Sequence, residues 1–318
     1  MIVSITHEHD LDGIGSQAII KRHLDLSSEI HQTEIIYTFA TYVDFVEKIQ
    51  AILGTDKIPS QLIISDIGFN DSFEELFSYF ETAKTRGCKI SWFDHHIVDD
   101  WIKERLRSLI HTYINDPERC AAEIVKDYYL PNDLISDSIA KFARDTDFRT
   151  ELFEIASNLQ SIISFNRGAH KDHNKHRVVK LLSQGDFENE WFSSQLESLR
   201  KWLEEESSFA LEHAIIISLE PFGDVVISWA KLGGGKITKV VREKFPHAKA
   251  FIGIDSRHNE IIIHSDFLNC REFAKEFEGG GHKERAGFKY SHIFDFDNPN
   301  VLTPSFIGDI KKRISKFS

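Results

Sequence analysis

The chain contains the segment Ile90-Ser91-Trp92-Phe93-Asp94-His95-His96, in which a short apolar run is followed directly by three side chains able to bind a metal ion. An apolar run of this length predicts a buried strand, and its carboxyl end is where an α/β sheet places its ligands. Adjacent histidines also occur on protein surfaces without binding anything, so the segment alone does not decide. The remainder of the chain decides, because it supplies more side chains of the same kind.

Carboxylates and histidines follow three other apolar elements. Residues 2–6 form a short apolar run that leads into His7-Glu8-His9-Asp10-Leu11-Asp12-Gly13. Residues 62–65 end at Asp66, and a helical pattern over residues 139–143 leads into Arg144-Asp145-Thr146-Asp147-Phe148. Since an α/β sheet binds ligands at the carboxyl ends of its strands, these side chains would form a cage for two divalent cations. We therefore predict an α/β fold with a parallel sheet in the N-terminal part of the chain.

The residue types agree with two-metal phosphoryl chemistry. Two metal ions about 3.5–4 Å apart need a bridging carboxylate, and together they hold a hydroxide in line with a phosphorus atom. Aspartate supplies hard oxygen ligands, whereas imidazole moves the preference from Mg²⁺ towards borderline ions. We expect two Mn²⁺ ions, with Mg²⁺ or Co²⁺ as alternatives. Zinc is less favoured because no cysteine accompanies the cluster.

The order of the motifs resembles the DHH phosphoesterase superfamily. The N-terminal motifs are, in chain order, His7 with Asp10, Asp12 and Gly13; Asp66; Asp94-His95-His96; and Asp145 with Thr146 and Phe148. Near the C-terminus, Glu278-Gly279-Gly280-Gly281-His282-Lys283-Glu284-Arg285-Ala286-Gly287-Phe288 resembles the glycine-rich signature of the C-terminal domain associated with this family. Five motifs in the family's order span residues 7–288, and the resemblance implies a metal-dependent phosphoesterase.

The resemblance also implies a role for each matched position. His96 would be a catalytic residue that faces the phosphate, and Asp94 would orient a histidine, as ligating imidazoles usually require. The implied metal ligands are one bridging aspartate, three further aspartates and one histidine: Asp66, then Asp10, Asp12 and Asp145, and His95.

Two ligand positions stay open. Family members often place their histidine two or four residues before the first aspartate, whereas here His7 stands three residues before Asp10 and His9 stands one before it. Neighbouring side chains of an extended segment point to opposite sides, so His9 would aim away from Asp10 and we favour His7 as the ligand. Asp147 is either a further ligand or a carboxylate in a local turn.

The resemblance places substrate binding in the C-terminal part of the chain. Its glycine triplet, Gly279-Gly280-Gly281, can present amide groups to an anion, and His282 and Arg285 add donors. Many relatives have an Arg-Ser pair on the preceding strand, but this chain has His264-Ser265, with Arg257 nearby in sequence. A histidine at that position loses bidentate phosphate contact, which would alter substrate preference.

Length and pattern predict two folding units with a connector. The chain has 318 residues, 41% of them hydrophobic, which exceeds the usual size of one core. We predict a metal-binding catalytic domain over residues 1–155, a helical connector over 156–205 and a smaller α/β substrate-binding domain over 206–318, with the active site in the cleft between the domains. Three histidines in the connector, His170, His173 and His176, indicate a solvated segment or helix face rather than a second metal site. We interpret Gly233-Gly234-Gly235 as a flexible turn.

Charge and composition limit the partners. Residues 1–155 carry a net charge of −13 and the remainder +1, without the basic stripe of a protein that binds duplex nucleic acid. The sequence lacks a run of 18 apolar residues that would span a membrane, and its three scattered cysteines fit a reducing compartment. We expect a cytoplasmic protein that binds a short RNA or DNA oligonucleotide or a dinucleotide. A homo-oligomer is compatible with the sequence.

The sequence thus predicts a Mn²⁺-dependent phosphodiesterase that hydrolyses short oligonucleotides or dinucleotides to mononucleotides, similar to the nanoRNase branch of the family. Alternatives within the same chemistry are a cyclic dinucleotide phosphodiesterase and a 3'-phosphoadenosine 5'-phosphate phosphatase. A pyrophosphatase is less favoured, because its C-terminal unit typically supplies a more basic anion pocket. The alternative from another class is a non-catalytic nucleotide-binding protein. Loss of ligands would indicate that class, but every matched ligand position is occupied.

Overall fold

The computed structural model describes residues 1–27, 33–290, 294, 296 and 302–316. The chain divides into two compact units, Met1–Glu197 and Ser198–Ser318. No helix among the described residues is both long and apolar enough to cross a membrane. The three cysteines, Cys88, Cys120 and Cys270, are free thiols and are buried.

The first unit begins with alternating strands and helices and ends in a series of helices. Its elements are β1 (Ile2–His7), α1 (Leu11–Leu26), β2 (Ile35–Ala40), α2 (Phe45–Leu53), β3 (Gln61–Ser65), α3 (Leu76–Thr85), β4 (Lys89–Asp94), α4 (Asp100–Leu109), β5 (Thr112–Asn115), α5 (Ala121–Tyr129), α6 (Leu134–Asp147), α7 (Glu154–Phe165), α8 (Asp172–Gln184) and the first part of α9 (Glu190–Glu212).

The five strands of the first unit form one parallel sheet in the order β2-β1-β3-β4-β5. Strand β2 lies on one side of β1, whereas β3, β4 and β5 follow one another on its other side, so the strand order reverses beside β1. Ligands of open α/β sheets bind at such a reversal, outside the carboxyl ends of the strands. The sheet therefore directs the ends of β1, β3 and β4 to the place where a ligand is expected, and the predicted parallel α/β fold is confirmed.

Apolar side chains cover both faces of this sheet, which explains why its three inner strands, β1, β3 and β4, are buried almost throughout. One core includes Phe39, Ile63 and Phe93 together with residues of α1, α5 and α6. The other includes Ile5, Ile64 and Trp92 together with residues of α2, α3 and α4. Two-sided burial is typical of parallel sheets, whose crossover helices lie on both faces.

Helices α7 and α8 belong to the first unit and extend the core on the α1 face. Ala156, Leu159, Ile162, Val178 and Leu182 are buried within it. The structure therefore places residues 156–197, most of the connector predicted over 156–205, inside the first unit. The sequence did not indicate this packing, because the residues leading into α8 are polar and only one side of α8 is apolar.

The second unit is a smaller α/β unit built on a six-stranded mixed sheet. Its strand order is β10-β11-β9-β8-β7-β6, in which only the β7–β8 pair is parallel. Its elements are β6 (Ile215–Leu219), β7 (Gly223–Ala230), α10 (Gly234–Lys244), β8 (Ala250–Asp255), β9 (Glu260–His264), α11 (Cys270–Lys275), β10 (Gly280–Gly281), β11 (Arg285–Lys289) and α12 (Pro304–Ile314).

The glycines at residues 233–235 start a helix rather than form a flexible turn. Gly233 caps α10, and Gly234 and Gly235 form its first turn. A Cβ atom on Gly234 would lie 2.5 Å from the carbonyl oxygen of Gly253 on β8. Glycine is needed there because the start of α10 packs directly against the strand backbone.

Candidate metal centre

Side chains from four segments of the first unit meet at the carboxyl ends of β1, β3 and β4. They form three groups in which the candidate ligand atoms lie within 4.8 Å of one another. Two residues each belong to two groups, so the three groups make one continuous cluster. The groups are His7, Asp10 and Asp66; Asp66, His95 and His96; and Asp12, His95 and Asp147.

The last residue of β1, His7, and the loop after it, through Asp10, contribute to the cluster. The Nδ1 atom of His7 lies 3.1 Å from Oδ2 of Asp10 and 3.6 Å from Oδ2 of Asp66. Asp10 also caps α1 by accepting a hydrogen bond from the Gly13 amide. Burial opposes ionisation of Asp10, but the hydrogen bond and charge of His7 hold its pKa below the ordinary value. His9 is in none of the three groups, which cover the described residues.

Asp66 lies at the centre of the cluster, immediately after β3. Its backbone has φ of 57°, a left-handed conformation that is uncommon for residues other than glycine. Its Oδ2 atom is buried and has no hydrogen-bond partner among the described residues. Burial raises the pKa of Asp66 well above the ordinary value, and the charges of Asp10 and Asp12 add to the rise.

Asp12 and His95 form the opposite side of the cluster. The Nε2 atom of His95 lies 3.4 Å from Oδ1 of Asp66 and 3.6 Å from Oδ2 of Asp12. Asp12 is fixed in place because its two oxygens accept hydrogen bonds of 2.7 Å from the amides of Ala121 and Ala122, at the start of α5. Burial raises the pKa of Asp12 to about 6, although the Ala122 amide and His95 lower it in part.

The fourth motif supplies Asp147 to the cluster and not Asp145. Asp147 Oδ2 lies 3.7 Å from Nδ1 of His95. The carboxylate of Asp145 instead accepts hydrogen bonds from the Thr150 hydroxyl and from the amides of Leu152 and Phe153, at 2.5, 2.7 and 3.0 Å. Asp145 is in none of the three ligand groups of the described residues, and its ligand role stays a prediction.

Asp94 orients His96, the second histidine of the triplet. Its Oδ1 atom lies 2.8 Å from Nδ1 of His96, and its Oδ2 atom accepts from the His96 amide and from Asn115. Burial favours the neutral ring, but the hydrogen bond and charge of Asp94 raise the pKa of His96 above its ordinary value. With Nδ1 committed to Asp94, Nε2 is the atom of His96 that can face a ligand.

Comparison with known proteins agrees with this geometry. Residues 1–145 match the family model of the DHH family, N-terminal domain. These residues form a DHH-family N-terminal domain. No curated protein matches the sequence.

Two solved structures are similar to the whole chain in fold. One is a pGpG-specific phosphodiesterase from Vibrio cholerae, with 12% identity, coverage of 100% of both chains and a TM-score of 0.50. The other is a DHH-domain structure described as a member of the s1p family of ribosomal proteins, with 15% identity, coverage of 98% of this chain and 87% of that chain, and a TM-score of 0.50. At these identities the likeness shows the fold alone.

The residues present in the DHH domain fit a divalent-metal centre. Asp66 has a buried oxygen without a hydrogen-bond partner in the described part of the chain, which is the state of a ligand atom that awaits a cation. Carboxylates and imidazoles make up the whole donor set, and DHH phosphoesterases use divalent metals. Burial also raises the pKa of Asp147. The ionised forms of Asp12, Asp66 and Asp147 are therefore disfavoured in this site unless a cation is bound.

Two neighbours of the DHH-domain cluster were missed by sequence reasoning. The ring of Tyr42 lies edge-on to both His7 and His96, at 5.7 and 6.1 Å between ring centroids, and its hydroxyl accepts from the Gly68 amide at 3.0 Å. A Cβ atom on Gly68 would lie 2.6 Å from Cβ of His96, so a larger residue would displace that histidine. Only the position of Tyr42 in the sequence could have indicated its role: it follows β2, which is the parallel neighbour of β1.

The glycine triplet of the second unit forms a tight hairpin edge. Gly280 and Gly281 pair with β11, and a Cβ atom on Gly281 would lie 2.6 Å from Cα of Ala286. The amides of Gly279 and His282 donate within the chain, to Ala274 and Arg285 respectively. The triplet is therefore not an open row of amides, and the close approach of two backbones accounts for its glycines.

The predicted basic residues of the second unit fall in two places. His264 and Arg285 are directly opposite each other on β9 and β11, and Arg242 of α10 contacts His264. Arg257 lies in the turn at the other end of β9, where Asp255 accepts hydrogen bonds from its guanidinium. The structure thus separates Arg257 from His264 and brings Arg242 there instead.

Proposed function

We propose that this protein is a two-metal-dependent phosphodiesterase that hydrolyses short oligonucleotides or dinucleotides to mononucleotides, with Mn²⁺ as the working ion. The observation that carries the proposal is the position of Asp66, which belongs to two adjacent ligand groups and has a buried oxygen with no hydrogen-bond partner among the described residues. Such a carboxylate suits a ligand shared by two cations.

The proposed ligands divide into two sets around Asp66. His7 and Asp10 would complete one metal site, and Asp12, His95 and Asp147 would complete the other. When bound, the two ions would polarise the phosphate and stabilise the attacking and leaving oxygens. The mixed imidazole and carboxylate donors favour Mn²⁺ over Mg²⁺, which prefers oxygen alone.

His96 is the proposed catalytic residue. Asp94 fixes its ring and stabilises its protonated form, so Nε2 can donate a hydrogen bond to a phosphate oxygen as charge develops there. Tyr42 packs against the ring and limits its movement.

A small nucleotide substrate agrees with the charges of the chain. Residues 1–155 have a net charge of −13, which two divalent ions would offset only in part, and a long polyanion would be repelled. A protein of similar fold is specific for the dinucleotide pGpG. In the second unit we assign substrate contacts to the side chains of His264, His282 and Arg285 and to the exposed Gly280.

The test is release of mononucleotide from an end-labelled dinucleotide, measured with Mn²⁺, Mg²⁺, Co²⁺ and after chelation. We expect turnover that requires the metal, is fastest with Mn²⁺ and is lost in Asp66→Asn. Parallel assays with longer RNA, cyclic dinucleotides and 3'-phosphoadenosine 5'-phosphate distinguish the substrate classes. Binding of the dinucleotide without turnover in any divalent ion would refute the enzyme and indicate a nucleotide-binding protein.

A further inference from the structure

A buried lysine lies directly behind the loop that carries the first motif, which we call the first-motif loop and define as Glu8, His9 and Asp10. The side chain of Lys175 on α8 is fully buried, and its ammonium contacts the carboxylate of Glu8, which is itself 7% exposed. The ammonium also lies 2.8 Å from Asp172 and 5.0 Å from the centre of the Phe39 ring. This ion pair joins α8 to the loop between β1 and α1.

The same region of the chain holds the first-motif loop at other points. Oε1 of Glu8 accepts a 3.0 Å hydrogen bond from the Gly168 amide, and the carbonyl of His9 accepts a 2.8 Å bond from Arg167. The amide of Leu11, which follows the loop, donates to Gln160 of α7 at 2.8 Å. The segment from α7 to α8 therefore fixes one side of the loop, while His7 and Asp10 lie on the side of the metal cluster.

Stability alone does not explain a charged pair at this position. Removing two charges from water is costly, and well-packed apolar residues of similar volume often stabilise a protein as much as a buried ion pair or more. Such a pair does, however, favour one arrangement of the groups that it joins. Here the groups are a core helix and a loop only three residues long between a strand and a helix.

We propose that Lys175 is a positioning residue, which acts through Glu8 to hold His7 and Asp10 in the geometry that binds metal. The inference rests on the proposed metal site. In the described part of the chain, the Lys175 ammonium contacts Glu8, Asp172 and the Phe39 ring and none of the proposed metal ligands, and its role is to fix the loop from behind. Partners that orient metal ligands from outside the coordination sphere commonly change metal affinity by about 10–100-fold.

The test is the dissociation constant of Mn²⁺ in full-length Lys175→Met, measured from the electron paramagnetic resonance signal of free Mn²⁺ at a temperature at which the protein is folded. Methionine keeps the length of the side chain and removes its charge. We expect Mn²⁺ binding to weaken by about 10–100-fold relative to wild type.

Glu8→Gln provides a second variant in case Lys175→Met does not fold. Glutamine has the same shape, but its amide nitrogen must face either Lys175 or the Gly168 amide, both of which are donors. We expect Mn²⁺ binding to weaken in the same direction by about tenfold.

The matched control is Arg22→Met, which removes a partly buried cation from the same unit. Arg22 pairs with Asp133 through two hydrogen bonds, of 2.7 and 2.8 Å, and donates a third to the Ser183 carbonyl; in the part of the chain that the structure describes, it has no hydrogen bond to the cluster. We expect a lower melting temperature and an unchanged dissociation constant for Mn²⁺. If the Lys175 and Glu8 variants behave as this control does, the pair is merely structural and the inference is wrong.

The outcomes for the inference and for the proposed function are separable. Wild-type protein that binds Mn²⁺ and does not cleave nucleotides would contradict the proposed function, while the comparison of dissociation constants would still decide the role of Lys175. Wild-type protein that binds no Mn²⁺ would contradict both.

Discussion

Asp66 has a left-handed backbone, a raised pKa and a buried oxygen without a hydrogen-bond partner among the described residues. Each feature costs free energy in the metal-free chain, and such local strain persists where function requires it. A cation shared with the neighbouring carboxylates would remove the electrostatic part of that cost. The strain at Asp66 is therefore an argument for function at this residue.

Replacing Asp66 with asparagine should separate function from stability. Asparagine tolerates a left-handed backbone, and the change removes one of several like charges. We expect the free energy of unfolding of the metal-free variant, measured by urea denaturation, to be about 1 kcal/mol higher than that of the wild type. Its phosphodiesterase activity should fall by more than about 100-fold, since even indirect partners of a metal change affinity by 10–100-fold. A less stable metal-free variant would contradict the proposed electrostatic cost.

The two histidines of the first motif should respond differently to replacement by alanine. His7 lies within 3.6 Å of both Asp10 and Asp66, whereas His9 is in none of the ligand groups of the described residues. We expect His7→Ala to weaken Mn²⁺ binding by more than about tenfold and His9→Ala to leave it nearly unchanged. Calorimetric titration with Mn²⁺ measures both, and the reverse order of effects would overturn the choice of His7.

Asp145 and Asp147 form a matched pair for the fourth motif. We expect Asp147→Asn to weaken Mn²⁺ binding by more than about tenfold with little change in melting temperature. Asp145→Asn should keep Mn²⁺ affinity and lose about 1–2 kcal/mol of stability, because its carboxylate serves three donors. If Asp145→Asn weakens Mn²⁺ binding and Asp147→Asn does not, Asp145 is the ligand.

The fourth motif shows where prediction at single residues stops. We had treated Asp145 and Asp147 as residues that follow a helix, but α6 continues to Asp147. Residues that are two positions apart on a helix point to nearly opposite sides. Only one of Asp145 and Asp147 can therefore face the cluster, and the sequence does not determine which. Lys175 was also beyond prediction, because no local pattern shows that a lysine 167 positions from Glu8 will be buried against it.

At the scale of elements, Asp133 links two helices of the first unit. It caps α6 by accepting from the Ser136 amide, and it accepts two hydrogen bonds from Arg22 of α1. The hydrogen bond to Arg22 is the main cause that lowers the pKa of Asp133 well below its ordinary value. A carboxylate with a lowered folded-state pKa stabilises the protein above its unfolded pKa, and that contribution is lost as the pH falls.

Stability measured at two pH values checks this link. At pH 7 we expect Asp133→Asn to lose about 1–2 kcal/mol relative to wild type in urea unfolding, because asparagine keeps the cap but loses the charged hydrogen bonds with Arg22. The difference should shrink as the pH falls below about 4, where the unfolded carboxyl is protonated and wild type loses the advantage. Asp137→Asn on the same helix is the control, since its pairing with Lys141 is largely exposed and should contribute less. A difference that does not depend on pH would argue against an ionised Asp133.

Apolar periodicity was enough to predict the strands that carry the site and their parallel arrangement. We expected a helical connector over residues 156–205, but periodicity did not show that α7 and α8 pack in the core of the first unit, because their partners in α1 and α6 are distant in sequence. It also failed at residues 233–235, where three glycines indicate a turn unless the strand beneath them is known.

At the scale of the whole molecule, fold and function rest on different evidence. The similar structures share 12–15% identity with this chain, which establishes a common fold and leaves the substrate to be argued from the site. The charge of −13 in residues 1–155 and the clustered carboxylates favour the binding of cations, and a small anionic substrate would bind after them.

The number of Mn²⁺ ions bound per chain tests the central claim most directly. Free Mn²⁺ measured by electron paramagnetic resonance during titration of the metal-free protein gives this number, with Asp66→Asn titrated alongside. We predict two ions per wild-type chain and loss of at least one of them in Asp66→Asn. A wild-type chain that binds fewer than two ions, or an Asp66→Asn chain that still binds two with wild-type affinity, would contradict a two-metal centre built on Asp66.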